Sequence, residues 1–383
     1  MTQSSKVSFT VLKCHNDSYI GVASLNKPAA LNALDSDMIE LLSSQLTQWQ
    51  DAPHIAMVLL DSELDKAFCA GGDVVTMYHA MRNNTGDAAP LAVQDFFTHE
   101  YQLDYLIHHY RKPLLVWGHG IVMGGGLGLM AGASHRIVTQ TSRIAMPEIT
   151  IGLYPDVGGS YFLNTMPAGC GLFLGLSGAS INATDALYCQ LADYVMAQQD
   201  KPAFLQALCA IDWQSEAQAN HQLLSALCLN MQTQDVLPPA NLIRYQPLFN
   251  ELASCLTVEA VEQCILSCES AQDSWFSKAQ KTLQNGSPIS KHLVFEQLQR
   301  GQDLSLADCF KMELVMSCRC ASLGEFEEGV RALLVDKDNT PQWLYPCTEA
   351  VPREVIEAFF VSPWPAEQHP LASLGADLKQ QAG

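Results

Sequence analysis

"KPLLVWGHGIVMGGGLGLMAGASHRIVTQ", residues 112–140, changes character at its glycines. The run before Gly118 is apolar and strand-like, the stretch after the triple glycine at 124–126 resembles a helix start, and "SHRIVTQ" returns to a strand. Residues 55–82, "IAMVLLDSELDKAFCAGGDVVTMYHAMR", pass through similar states: a buried strand, then "AFCAGGD", then a helix predicted over Val74–Arg82. The repeated strand–strand–helix unit predicts an α/β layer of short-pitch, stacked turns.

Working outward, "KVSFTVLK" (6–13) and "SYIGVASL" (18–25) form a predicted hairpin across "CHND". "MIELLSSQLTQWQ" (38–50) has helical spacing, with Asp35 or Ser36 as its cap. After the polar break "NNTGDAAP" a second helix is predicted from Leu91 to Tyr110, and "RIAMPE" is another short strand. Beyond Gly158 helical patterns take over, near 158–177, 183–198, 202–210, 215–231, 251–266, 274–284, 290–300, 304–319 and 324–335. A proline-containing tail after Leu334 ends in one more helix. The predicted organisation is an α/β core over 1–200 that carries the site, and a helical C-terminal region and tail over 201–383.

A chain of 383 residues with 48% apolar and 16% charged residues buries a sizeable core and is not disordered. Its net charge of −19 opposes nucleic acid as a partner, because phosphate binding needs a basic surface. An anionic substrate must therefore be held by a few local cations and backbone NH groups. The thirteen cysteines include no C-x-x-C pair, and the nearest spacings, Cys318 with Cys320 and Cys264 with Cys268, lack zinc-site partners. They read as reduced thiols packed like small hydrophobes. No apolar run reaches the roughly 18 residues of a membrane span, and "MTQSSKVSFTVLK" has no apolar leader core. The expectations are no membrane partner, no metal and a cytoplasmic location. G-x-S-x-G, the phosphate-loop motif and H-E-x-x-H are all missing, so serine and metal catalysis have no support.

Both glycine loops place a helix start just after glycines, where unpaired NH groups favour negative charge. Two such ends facing one another supply two donors to one oxygen, which is an oxyanion hole. Gly126, Gly128 and Ala131 also satisfy a dinucleotide fingerprint, but the strand that follows ends in Gln140 where that reading needs an acid. "AMPEITIGLYPDVGG" (145–159) then sets Glu148 and Asp156 eight positions apart, in a stretch too apolar to solvate them well and too broken for one helix. The bland alternative for either acid is a cap or a solvated turn. Glu100, beside His99, has a surface helix face as its bland alternative, and His119 and His135 read as structural.

"LNKPAALNAL" (25–34), "KAFCAGGD" (66–73), "GGGLGL" (124–129), "MPEITIGLYPDVGGSYFL" (146–163) and "GEFEEGVRALLVDKDNTPQW" (324–343) resemble the crotonase (enoyl-CoA hydratase/isomerase) superfamily, and within it the 3-hydroxyisobutyryl-CoA hydrolases. The resemblance covers nearly the whole chain. It implies a crotonase-like α/β spiral of ββα units followed by a helical C-terminal region. It also implies an acyl-CoA substrate, with CoA as part of the substrate and no separate cofactor, and it allows a homo-oligomer. By motif position the oxyanion donors match Gly72 and Gly125, and the substrate contacts match Glu100, Gly125, Glu148 and Asp156.

One departure separates branches of the superfamily. Hydratases carry a Glu shortly after the triple glycine; here that position is Gly128, while Asp156 stands where hydratases have a small residue. The resemblance thus implies thioester hydrolysis rather than hydration. Glu148 is then a nucleophile or a general base. Asp156 binds the 3-hydroxyl of the acyl group, orients water or protonates the leaving thiolate. Two neighbouring carboxylates raise one another's pKa, which favours a division into acid and base. Lys27 and Lys66 are candidate CoA contacts, each with solvated surface as the alternative. An enoyl-CoA hydratase or isomerase on the same scaffold and a non-catalytic acyl-CoA binder are the competing readings.

Overall fold

A computed structural model describes residues 5–269, 272–323 and 325–376. The chain divides into two compact units, each assembled from three segments: 5–72, 103–144 and 181–243 in the first, and 73–102, 145–180 and 244–376 in the second.

The first unit is built on β1 (Val7–Lys13), β2 (Tyr19–Leu25), β3 (Ile55–Ser62), β4 (Ala67–Cys69), β5 (Leu114–Gly118), β6 (Ile121–Met123), β7 (His135–Val138), β8 (Arg143–Ala145) and β9 (Tyr194–Val195). Six strands form one sheet in the order β1–β2–β3–β5–β7–β9, and three form another in the order β4–β6–β8. The predicted hairpin pairs β1 and β2 antiparallel, with Val7 opposite Leu25, and the remaining ladder of the large sheet is parallel. In each later pair the first strand joins the large sheet and the second joins the small one. That step from sheet to sheet is what the repeated strand–strand–helix pattern encodes. β3 is buried along its whole length, as a parallel strand covered on both faces must be.

The helix Ser36–Asp51 starts where Asp35 accepts from Met38 N at 3.1 Å. Helices Lys201–Cys209 and Ala217–Met231 set Phe204, Leu208 and Leu224 into one core with Ile20, Leu59 and Trp117 of the large sheet. The boundary expected at residue 200 therefore does not hold, because apolar helices just beyond it cover the sheet. The expected helix over 183–198 is likewise shorter, Ala183–Tyr188, and is followed by β9 on the edge of β7. Gln190 turns left-handed (φ 61°) and Asp193 binds the backbone N and Nε of Arg136 at 2.8 and 2.9 Å, so a tertiary pairing overrides helical periodicity.

The second unit is mainly helical: Val74–Arg82, the start of Leu91–His108, Cys170–Ser177, Ser274–Asn285, Pro288–Gly301, Leu306–Leu323 and Glu325–Val330. Phe97, Tyr101, Phe310 and Phe326 pack together inside it. The helix expected over 158–177 breaks into Gly159–Phe162 and Cys170–Ser177 at Gly169, where an added Cβ would lie 1.9 Å from Phe249 O. The one expected over 251–266 breaks into Gln246–Leu252 and Val258–Ser267. The 324–335 segment is a helix Glu325–Val330 continued by a wider turn; its Gly324 lies outside the described residues. Among the described residues no helix is long and apolar enough to cross a membrane.

Candidate active site

In the first unit the two glycine loops touch backbone to backbone. Gly71 adopts φ 108° and Gly124 φ 49°, conformations that L side chains rarely take. A Cβ on Gly126 would meet Cys69 O at 2.5 Å, and one on Gly71 would meet Met123 O at 3.4 Å. Gly72 follows Gly71, whose carbonyl accepts from Leu34 N at 2.7 Å. Gly125 opens the helix Gly125–Ala131, so its NH has no partner within that helix. The structure thus brings together the loops that carry both sequence-predicted amide donors. The dinucleotide reading fails here for a topological reason as well: this helix follows β6 of the small sheet, and the next strand, β7, belongs to the large one. Gln140 accepts from Gln198 N at 3.0 Å, a structural bond.

The other candidates of this unit divide. Lys27 Nζ lies 2.8 Å from Asp35 Oδ2 and donates to Ala33 O at 3.1 Å, so its ammonium braces the 27–35 loop. Lys66 is exposed beside β4. His119 is buried with Nε2 2.6 Å from Leu64 O. His135 sits between Ser134 and Ser225, each at 3.0 Å, stacks on Tyr194 and His221, and is pushed down to about 4 by burial. Both histidines are structural.

The second unit holds the acids. Glu100, Glu148 and Asp156 are all at least nine-tenths buried, with 2%, 6% and 4% of their surface exposed. The surface-face reading of Glu100 fails, because it is His99 that faces solvent while Glu100 turns inward. Glu148 begins a single helical turn, Glu148–Ile151, that ends at Gly152 (φ 70°) with an added Cβ only 2.3 Å from Glu325 O. Asp156 precedes Val157, a β-branched residue held at φ 52°, and Gly158 at φ 88°. A β-branched side chain in that region is strained, and such strain persists only where the surroundings over-determine it.

Burial pushes all three carboxyls up. Glu100 and Glu148 lie well above the usual carboxylate range, each raised further by the charge of Asp156, and Asp156 is raised to about 6. Glu100 Oε1 and Glu148 Oε2 are buried and have no hydrogen-bond partner among the described residues. An unsatisfied buried acceptor costs about 1–3 kcal/mol. Oxygens of that kind, beside a third carboxyl, are acceptors waiting for a hydroxyl, a water or a reacting carbon. Among the described residues no group of three or more His, Cys, Asp or Glu side chains is placed to hold a metal ion.

Four residues of this site escaped the sequence reading. Tyr101 Oη lies 2.7 Å from Asp156 Oδ2 and 2.7 Å from Ser317 Oγ. Tyr154 Oη lies 2.8 Å from Ser317 Oγ and donates to Glu313 O at 2.6 Å. The Glu313 carboxyl accepts from Gly158 N and Ser160 N, both at 2.8 Å, which clamps the turn after Asp156; burial raises it to about 8. Glu313 left one signal, a lone acid inside the apolar run "KMELVM". Tyr101, Tyr154 and Ser317 left none, since their partners are distant in sequence.

Residues 20–360 match the family model for enoyl-CoA hydratase/isomerase. The mitochondrial 3-hydroxyisobutyryl-CoA hydrolase of Xenopus tropicalis is 36% identical, over 89% of this chain and 86% of that protein. Two solved structures share the fold at a TM-score of 0.80: an enoyl-CoA hydratase from Rhodobacter sphaeroides (30% identity, 94% of this chain and 98% of that one) and a carnitinyl-CoA dehydratase from Mycobacterium thermoresistibile (28% identity, 93% and 97%). The spiral of strand pairs and its apposed glycine loops agree with these likenesses, and the chain belongs to the enoyl-CoA hydratase/isomerase family.

Proposed function

We propose that the protein hydrolyses a short-chain 3-hydroxyacyl-CoA thioester, with 3-hydroxyisobutyryl-CoA as substrate and 3-hydroxyisobutyrate and CoA as products. The observation that carries this reading is the group of buried carboxyls Glu100, Glu148 and Asp156, two of them with an oxygen that has no hydrogen-bond partner among the described residues. The relative from Xenopus tropicalis bears the name of that hydrolase. The reaction assigned to these residues starts with the thioester carbonyl polarised by the amides of Gly72 and Gly125. Each donor aimed at the developing oxyanion contributes about 3 kcal/mol. The Glu148 carboxylate attacks the carbonyl carbon to give an anhydride, or draws a proton from an attacking water. Glu100 and Asp156 contact the acyl group and its 3-hydroxyl. Lys66 is the proposed contact for the CoA phosphates, and nothing beyond substrate and water is required.

Hydration of a double bond is the second reading, favoured by the names of the two solved relatives, a hydratase and a dehydratase. Gly128 opposes it, standing where hydratases place their other acid. A panel of 3-hydroxyisobutyryl-, 3-hydroxypropionyl-, 3-hydroxybutyryl- and crotonyl-CoA separates the two. Hydrolysis liberates a free CoA thiol, whereas hydration of crotonyl-CoA only bleaches the enoyl absorbance. Absence of thiol release from every 3-hydroxyacyl-CoA, or full activity in Glu148→Gln, refutes the assignment. We propose the cytoplasm as its compartment; the cysteines, none of them disulfide-bonded, fit a reducing environment. The Xenopus tropicalis relative is named as mitochondrial, so cell fractionation is the deciding measurement.

A further inference from the structure

Five oxygens in the second unit form an unbranched chain of four direct contacts: Asp156 Oδ2 to Tyr101 Oη (2.7 Å), Tyr101 Oη to Ser317 Oγ (2.7 Å), Ser317 Oγ to Tyr154 Oη (2.8 Å), and Tyr154 Oη to Glu313 O (2.6 Å). Each separation needs its own proton. The three hydroxyls bring three protons, and the carbonyl of Glu313 brings none. With Asp156 ionised, one of the four contacts must be two lone pairs face to face. With Asp156 protonated, every contact is filled in a single sense, from Asp156 through Tyr101, Ser317 and Tyr154 to the carbonyl. Tyr101, Tyr154 and Ser317 are fully buried, and a water elsewhere cannot supply a proton to a direct oxygen–oxygen contact.

We propose that this hydroxyl chain favours the neutral carboxylic acid form of Asp156, making it the proton donor to the departing CoA thiolate, with Tyr101, Ser317 and Tyr154 as its positioning residues. The assignment of the leaving group rests on the hydrolase reading above; the protonation state does not. As the C–S bond breaks, the electron pair goes to sulfur, the Asp156 proton forms the S–H bond, and a carboxylate is left. The hydrolytic water gives its oxygen and one proton to the acyl group and its other proton to Asp156, so the step balances with substrate and water alone. The titratable groups facing Asp156 agree with a neutral acid. They are Glu100 and Tyr101 on the helix Leu91–His108, Glu148 and Tyr154 on its own segment, and Glu313 and Cys320 on the helix Leu306–Leu323; none is a cation.

The test is an infrared titration of the free enzyme labelled with 4-¹³C-aspartate, following the carboxylic-acid C=O band that disappears in Asp156→Asn. Wild type shows this band at about pH 5 and loses it as pH rises through about 6. Ser317→Ala leaves two contacts and two protons, and Tyr154→Phe does the same at the other position, so in both an ionised Asp156 is fully paired. Each variant therefore moves the loss of the band down by about one pH unit, the equivalent of one hydrogen bond. A merely structural role lowers the melting temperature and leaves the titration where it was. If Ser317→Ala fails to fold, Tyr154→Phe carries the test alone. No aspartic-acid band at about pH 5, or a titration unmoved in the folded variants, overturns the proposal. A shifted titration without CoA release from any thioester keeps the protonation assignment and refutes the hydrolase reading. CoA release with an unmoved titration does the reverse.

Discussion

Gly126→Ala is the sharpest probe of the paired loops. The new methyl would lie 2.5 Å from Cys69 O and 2.7 Å from Cys69 Cβ, whereas ordinary contact begins near 3.4 Å. Neither neighbour can rotate aside, because one is a backbone oxygen and the other is fixed by the backbone. The loops must therefore part by 3.4 − 2.5 = 0.9 Å. A displacement of about 1 Å in a catalytic arrangement costs roughly 10²-fold in rate, as does loss of one oxyanion donor. The expected result is kcat lower by about 10²-fold, KM changed much less, and stability reduced by about 1–3 kcal/mol from overpacking. Gly132→Ala is the control: its methyl would meet His108 Cδ2, also at 2.5 Å, on the far end of the same helix. That variant should lose similar stability and keep kcat. Thiol release at saturating 3-hydroxyisobutyryl-CoA, run beside thermal melts, reads both effects. A folded Gly126→Ala with wild-type kcat, or equal kcat losses in the two variants, refutes the role given to the loops.

Other outcomes follow from the second unit and from Lys66. Glu313 has a folded-state pKa of about 8 against an ordinary 4.5, so the stability it contributes is complete at low pH and is lost as pH rises through about 8. Thermal melts should fall between pH about 4.5 and about 8 in wild type and fall less in Glu313→Gln; an identical slope in both would dismiss that carboxyl as the cause. Gly152→Ala needs an alanine at φ 70° with its methyl 2.3 Å from Glu325 O, and should cost more than about 3 kcal/mol in a denaturant titration; a loss below about 1 kcal/mol would show that the turn relaxes. Lys66→Ala should raise KM for acyl-CoA several-fold with kcat kept, and an unchanged KM would remove Lys66 from CoA binding.

Local signals were strong where a residue's neighbours in sequence are also its neighbours in space. Asp35 caps the helix Ser36–Asp51, the helix Val74–Arg82 spans its predicted residues, and "CHND" closes the hairpin of β1 and β2. They failed at 183–198, where β9 is a strand only because β7 offers it an edge. They failed again at residue 200, since nothing local announces that Phe204 and Leu208 lie against Trp117 rather than with the helices that follow them in the chain. Nothing in the sequence around Lys27 announces that its ammonium meets the Asp35 carboxylate at 2.8 Å.

The sequence by itself determined the strand-pair repeat, the two glycine loops and the identities of Glu148 and Asp156, because periodicity, backbone freedom and ionisable type are properties of short stretches. Only the tertiary structure decided that Glu100 turns inward while His99 meets solvent, and that Val157 is held left-handed by a turn clamped on Glu313. It alone joined Asp156 to Tyr101, Ser317 and Tyr154. The physical reason is that a proton's position depends on desolvation and on oxygens within 3 Å, and those oxygens come from segments up to 216 positions apart in the chain.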